Sequence, residues 1–153
     1  MKTLSLLILT ALLASCSTAP RQTALEQKPF ELRSFEQNFG YTQAVKVGNR
    51  IYVAGSVSMD KDGNTVGKGN MRLQVAQSYE AIRLSLAHYG ANFSHVVKET
   101  IHTTDMDAFL KVTDERAKVY KGVRFPVSSW IGVQRLVSPD YLFEVEVEAV
   151  LPE

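Results

Sequence analysis

The segment Leu142-Phe143-Glu144-Val145-Glu146-Val147-Glu148-Ala149-Val150 decides the fold. Successive side chains of a strand point to opposite faces, so the apolar residues of this segment share one face and its three glutamates share the other. The apolar face predicts contact with a core. The other face is either simply solvated or turns one carboxylate into a cleft.

A second segment lies just upstream and reads Arg124-Phe125-Pro126-Val127-Ser128-Ser129-Trp130-Ile131-Gly132-Val133-Gln134-Arg135-Leu136. It places small hydroxyls, an indole and two guanidiniums on or beside one extended stretch. The final strand supplies carboxylates. We expect any chemistry of this chain to take place between these two segments.

The remaining pattern gives the fold class. Residues 43–47 and 50–54 read as a hairpin joined by Gly48-Asn49. A helix follows, capped by Asn70 and stopped by Gly90, then a strand over 96–103 and a second helix capped by Asp105 or Asp107. With the two C-terminal strands, this order predicts an α+β fold in which two helices pack on one face of a mixed sheet.

The N-terminus reads as an export signal over residues 1–15, with an apolar run too short to span a bilayer. Leu13-Ala14-Ser15-Cys16 is typical of a bacterial lipobox, and an ordinary signal peptide is the alternative. Ser17 after the lipidated Cys16 favours the outer membrane, facing the periplasm. We expect a tether and arm over 16–35 and a single domain over 36–153.

Composition excludes several function classes. Cys16 is the single cysteine, so the folded part has no disulfide, zinc cluster or thiol nucleophile. The formal net charge is +1 and no basic run is present, so we expect no nucleic-acid partner, and membrane attachment through the lipid anchor alone. We expect no metal and no cofactor.

Several stretches, in their order and spacing, make the chain resemble the RidA/YjgF family of small imine and enamine deaminases. The resemblance covers about 110 residues. The stretches are Tyr41-Thr42-Gln43-Ala44-Val45, Ile51-Tyr52-Val53-Ala54-Gly55, Val96-Val97-Lys98-Glu99-Thr100-Ile101, Asp105-Met106-Asp107-Ala108-Phe109, Arg124-Phe125-Pro126 and Glu146-Val147-Glu148-Ala149.

The resemblance implies a chorismate-mutase-like fold and a homotrimer that binds a small molecule at each subunit interface. It implies hydrolysis of 2-imino acids to 2-keto acids and ammonia. The implied site contains Tyr41, the turn at Gly55 and Ser56, and the strand residues Ser128, Ser129 and Trp130. Glu146 is the implied catalytic carboxylate, which positions the attacking water, although Glu144 stays open as the alternative.

The chain departs from the family at one position. The resemblance implies an arginine two residues after Phe125-Pro126, where a guanidinium grips the substrate carboxylate through two charge-assisted hydrogen bonds. Ser128 stands there instead. Arg124 and Arg135 lie too far along the segment from Ser128 to supply the missing guanidinium in its place. Neither Ser128 nor Ser129 has a histidine in a recognisable relation that would activate it as a nucleophile.

Two hypotheses follow from this departure. The first is an envelope lipoprotein whose intersubunit cleft binds small molecules without standard imino-acid turnover. The second is an imine or enamine deaminase with altered substrate choice, in which Glu146 acts on an imine that has no carboxylate. Trp130 either packs in the core or the trimer interface, or forms a flat wall for an apolar ligand. The same two roles are open for Tyr41.

Overall fold

The computed structural model describes residues 25–153. The predicted signal peptide and Cys16 lie outside the described residues. In the described part, six strands and three helices follow one another in this order: β1 Gln27–Phe30, β2 Ala44–Val47, β3 Arg50–Val57, α1 Met71–His88, β4 Val96–Thr103, α2 Met106–Leu110, α3 Thr113–Val119, β5 Val127–Gly132 and β6 Phe143–Val150. Short 3-10 helices occupy Glu36–Phe39 and Phe93–His95.

The strands form one mixed sheet in the order β1-β2-β3-β6-β4-β5. All neighbours are antiparallel except β4 and β5, which are parallel. The final strand β6 therefore lies in the middle of the sheet, as its strict alternation suggests. β5 forms one edge.

The core lies between the sheet and the helices, as the sequence predicts. Asn70 caps α1 by accepting a hydrogen bond from the Leu73 N–H at 3.1 Å. Gly90 follows the helix with φ +71, in the left-handed region that favours glycine. The buried face of α1 packs with the apolar face of β6, through Val75, Tyr79, Ile82, Leu86, Phe143, Val145 and Val147.

The second predicted helix is divided in two. Asp105 caps α2 by accepting from the Ala108 N–H at 2.8 Å, but helix geometry stops at Leu110 and resumes at Thr113. Val112 has φ −126 and ψ 18, outside the helical region, and the Thr113 hydroxyl donates to the Leu110 carbonyl. Phe109 and Tyr120 are nevertheless both buried against the sheet.

The sheet differs from the sequence prediction at two further places. β1 lies inside the segment expected to be an arm; its Pro29 is tolerated because β1 is an edge strand. β3 does not turn at Gly55 and Ser56 but continues to Val57 through an irregularity between Val53 and Ser56. In the part of the chain that the structure describes, no helix has the length and apolar character needed to cross a membrane.

Candidate functional site

The face of the sheet that carries no helices, here called the open face, presents side chains in three rows. One row runs Val45, Tyr52, Glu148, Lys98 and Val127 across five strands. The middle row runs Glu146, Thr100 and Ser129, and the third runs Val57, Glu144, His102 and Ile131. Adjacent strands lie about 4.8 Å apart, so neighbours within a row are in contact range.

An open cleft of about 290 Å³ lies over the parts of the first two rows that β2, β3, β6 and β4 contribute. Its lining combines carboxylates, an ammonium and hydroxyls with a tyrosine ring. The main polar contributors are Thr42, Tyr52, Lys98, Thr100, Glu146 and Glu148. The cleft therefore contains the predicted carboxylate Glu146 within a polar setting.

Glu146 stands opposite the irregular part of β3. Ala54 and Gly55 lie between the paired residues Val53 and Ser56, and Glu146 is the residue of β6 that faces this pair. A bulge of this kind bends the strand and changes the direction of nearby side chains. Glu146 is exposed, and Thr100 and Ser129 continue its row toward the edge strand.

Lys98 and Glu148 flank Glu146 on one side. Lys98 Nζ lies 2.8 Å from Glu148 Oε1. This hydrogen bond raises the pKa of Lys98, and the charges of Glu148 and Glu146 add to the rise. The open face thus has one lysine against three glutamates, and that lysine already has a partner.

Glu144 and His102 flank Glu146 on the other side. Gly55 has no side chain, and a Cβ added there would come within 2.2 Å of Glu144 Oε1, so the carboxyl lies directly on the glycine backbone. Burial raises the pKa of Glu144; the nearby His102 lowers it and Glu146 adds to the rise. His102 Nδ1 is buried and has no hydrogen-bond partner among residues 25–153.

Ser128 and Trp130 lie on the helix face, away from the cleft. The Ser128 hydroxyl donates to Glu99 Oε1 at 2.7 Å and accepts from Trp130 Nε1 at 2.7 Å. Trp130 meets Phe109 edge to face, with ring centroids 5.0 Å apart. The structure therefore brings Gly55 opposite Glu146 and places Ser129 on the same face two strands away, beyond Thr100. Ser128 and Trp130 are separated from Glu146 by the thickness of the sheet.

The carboxylate of Glu99 is the centre of a buried network that the sequence analysis did not single out. Its Oε1 accepts from Ser128 and from the Arg116 guanidinium, and its Oε2 accepts from the hydroxyls of Tyr79 and Tyr120 at 3.0 and 2.9 Å. Burial, followed by the charge of Glu99, raises the pKa of both tyrosines well above the usual value, so both remain donors.

Arg116 completes this network from α3. Its guanidinium carbon lies 5.1, 4.9 and 5.5 Å from the ring centroids of Tyr120, Phe125 and Trp130. Such cation–π contacts, with the ion pair to Glu99, tie the helix to the edge strand β5. A guanidinium is thus present close to Ser128, but it is committed to Glu99.

The last two predicted site residues lie apart from the cleft. Ser56 is buried on the helix face, where it accepts from Gln43 Nε2 at 2.9 Å and donates to the Ala54 carbonyl. Tyr41 is half-buried beside Glu36, and its pKa is raised by burial first and by the charge of Glu36 second. Within residues 25–153, no three acidic, histidine or cysteine side chains are grouped as metal ligands.

A family profile described as endoribonuclease L-PSP matches residues 32–151. The chain belongs to the RidA/YjgF family. It is 35% identical over 109 residues to a RutC family protein of Pyrococcus abyssi, which covers 71% of this chain and 84% of that protein. It is 28% identical over 110 residues to the human 2-iminobutanoate/2-iminopropanoate deaminase, covering 72% and 77%.

Solved structures agree with this membership of the RidA/YjgF family. A YjgF-family protein of Mycobacterium tuberculosis superposes with a TM-score of 0.70 at 27% identity, covering 82% of this chain and all of that one. A Rid-family protein of Yersinia pestis superposes with a TM-score of 0.69 at 29% identity, covering 73% and 88%. The predicted family and fold class are confirmed.

Proposed function

We propose that this RidA/YjgF protein is an imine hydrolase that acts on imines without a carboxylate and releases ammonia. The observation that carries the proposal is the position of Glu146 in the open-face cleft, between the pairs Lys98–Glu148 and His102–Glu144. The similarity to named 2-iminobutanoate/2-iminopropanoate deaminases supports the reaction type.

The chemistry assigned to Glu146 is that of a general base. A carboxylate that holds a water by hydrogen bond can take its proton while the oxygen attacks the imine carbon. Thr100 and Ser129, in the same row, offer hydroxyls that can hold the substrate or the water. These groups give the cleft a base and neutral donors.

The substrate class follows from the charges of the open face. Glu144, Glu146 and Glu148 outnumber Lys98, whose ammonium is paired with Glu148. A carboxylate brought into this cleft meets like charges, and the one cation among the lining residues, Lys98, is already paired. Like charges at short range are unfavourable. Neutral or cationic imines avoid that cost. The same carboxylates disfavour phosphates, so RNA cleavage is not proposed.

The test compares imines produced in the assay by two oxidases. An amine oxidase supplies imines without a carboxylate, and an amino-acid oxidase supplies 2-iminopropanoate. Ammonia release above the spontaneous rate is expected for the first substrate and not for the second. Glu146→Gln should remove the acceleration, whereas the exposed helix variant Glu80→Gln should keep it. Equal activity of Glu146→Gln and the unaltered protein would disprove the proposal.

A binding role without turnover is the second candidate. It is favoured by the commitment of Ser128 and Arg116 to Glu99, because this guanidinium is then not available to a substrate carboxylate. In that case no imine is hydrolysed faster, yet a small amine or imine analogue raises the melting temperature because it binds the folded state.

We also propose the setting of this activity. Tyr52, Val127 and Ile131 expose apolar surface on the open face, which suits assembly into the homotrimer that the resemblance implies, with a ligand cleft at each interface. Lipidation at Cys16 would hold that assembly at the periplasmic side of the outer membrane.

A further inference from the structure

We propose that Glu144, lodged on the backbone of Gly55, is the proton donor to the imine nitrogen, and that it works together with Glu146 as the acid of an acid–base pair. The inference rests on the proposed hydrolase function and assigns a second carboxyl to that site.

The first argument is geometric. Glu144 and Glu146 are two residues apart on β6, which places them on the same face about 7 Å apart. Glu146 faces the bulge that contains Gly55, and the Glu144 carboxyl lies on that same glycine. The two carboxyls therefore border the same bulge of the sheet from two sides.

The second argument is the difference between their surroundings. Glu146 is exposed, whereas Glu144 is half-buried. Val57, which pairs with Glu144, packs with Leu136, Tyr141 and Val133 of the segment that connects β5 to β6. Burial disfavours the charged form of a carboxyl, and two carboxyls in unlike environments divide naturally into an acid and a base.

The charged and titratable groups that face Glu144 are few. They are His102 on β4 and Glu146 on its own strand. β3 contributes only Gly55 and Val57 at this point. The unpartnered Nδ1 of His102 adds a polar atom beside the pair; a buried nitrogen of this kind is costly unless water or a ligand supplies the partner.

The proposed reaction balances in two steps. First, Glu146 takes a proton from water while the oxygen bonds to the imine carbon; the C=N electron pair moves to nitrogen, which receives the proton of Glu144. The product is a carbinolamine. Second, protonated Glu146 donates to the amino nitrogen while Glu144 takes the hydroxyl proton; the C–N bond breaks, the carbonyl forms and ammonia leaves. Both carboxyls return to their starting states.

Three variants test the role of Glu144. Glu144→Gln removes the proton donor and should lower kcat by about 100-fold, the lower range for general acid catalysis. Gly55→Ala keeps the carboxyl but displaces it by steric contact, because Gly55 has no positive φ that would strain an alanine. It should lower kcat similarly. Glu144→Ala should regain activity when a small carboxylic acid such as acetic acid is added at constant pH.

Two readouts separate proton donation from a structural role. In the unaltered protein, kcat should fall as pH rises through the pKa of Glu144, and this fall should be absent in Glu144→Gln. The deficit of Glu144→Gln should shrink for imines of trifluoroethylamine relative to imines of ethylamine, because an electron-poor nitrogen takes up the C=N electron pair with less help from a proton donor. A purely structural role would give equal deficits for both amines.

The outcomes distinguish this inference from the proposed function. If Glu146→Gln is inactive while Glu144→Gln and Gly55→Ala keep the full rate and the same pH profile, Glu144 is not the acid and the hydrolase proposal stands. If the unaltered protein accelerates the hydrolysis of no imine, both proposals are overturned. Melting temperatures measured alongside show whether each variant is folded.

Discussion

The hydroxyl of Ser128 lies 2.7 Å from Glu99 Oε1, on the face of the sheet opposite to Glu146. This hydrogen bond bears on the arginine that the family resemblance implies at position 128. Position 128 points toward α3, where Arg116 already provides a guanidinium to Glu99. Ser128 therefore belongs to a buried network and not to the lining of the open-face cleft.

An arginine introduced at this position should not produce imino-acid hydrolysis. In Ser128→Arg, two guanidiniums compete for Glu99 and the Ser128 hydrogen bonds are lost, so we expect a loss of stability of about 1–3 kcal/mol. Ammonia release from 2-iminopropanoate should stay at the spontaneous rate. Denaturant unfolding and the oxidase-coupled assay measure the two effects.

Ser129→Arg is the matched variant, since Ser129 lies one residue further on and in the row of Glu146. Its guanidinium points to the open face, where it can meet a substrate carboxylate. We expect this variant, and not Ser128→Arg, to accelerate ammonia release from 2-iminopropanoate above the spontaneous rate. The reverse result would show that Ser128 faces the substrate.

The network around Glu99 should contribute strongly to stability. Glu99→Gln leaves Arg116 as a buried charge without its counterion, and breaking one side of a buried ion pair costs about 3 kcal/mol or more. Urea unfolding should show that loss. The exposed pair Glu80–Arg83 on α1 offers a control: Glu80→Gln should cost less than about 0.5 kcal/mol. A small effect of Glu99→Gln would mean that the tyrosines and Ser128 hold the strand without the charge.

The sequence predicts the fold better than it predicts the site. Alternation in β6, the caps at Asn70 and Asp105 and the stop at Gly90 are local properties, and the structure shows each of them. The site depends on which strands become neighbours. β6 lies between β3 and β4, and nothing in the local pattern places Lys98 or His102 beside its glutamates.

Part of the missed network could have been inferred. In β4, Glu99 occupies the same alternating face as Ile101, a pattern that predicts a buried carboxylate in need of partners. Ser128 required more, because its face follows from the parallel register of β5 on β4 and from the pairing of Ser128 with Glu99. Strand register depends on residues far apart in the chain, so it cannot be read from a single sequence.

Glu144 should make stability depend on pH in a direction opposite to that of a salt-bridged carboxylate. Burial raises its pKa in the folded protein, so the folded state binds this proton more tightly than the unfolded state does. The resulting stabilisation is complete below the unfolded pKa of about 4.3 and is lost as pH rises through the folded pKa.

Glu144→Gln should therefore be more stable than the unaltered protein at pH 7 and no more stable at pH 4. Thermal unfolding at the two pH values measures the difference; Glu36, whose pKa burial also raises, is present in both proteins and cancels. Higher stability together with lower activity is the behaviour expected of a functional carboxyl. Equal stability at both pH values would show that Glu144 ionises without cost.

Lipid anchoring should depend on Cys16 alone. In Cys16→Ser, the protein should move from the membrane fraction to the soluble periplasmic fraction, because the acyl chains that hold it can no longer be attached. Its hydrolase activity and melting temperature should not change, since Cys16 precedes the matched family region 32–151. Fractionation of cells that express each form makes the measurement. Membrane attachment of the serine variant would exclude the lipobox interpretation.

Assembly should depend on the apolar residues at the edge of the open face. Ile131 ends the row of His102 and Glu144 on β5 and is 41% exposed. In Ile131→Asp, a charge would be buried at the proposed subunit contact, which is unfavourable unless it is paired. Light scattering should then give the mass of one chain instead of three. Imine hydrolysis should fall, because in the proposed assembly a neighbouring subunit would complete each cleft. Leu84→Asp, at a similarly exposed leucine on α1, should remain trimeric and active. A monomeric unaltered protein, or a trimeric Ile131→Asp, would show that the open face is not the contact.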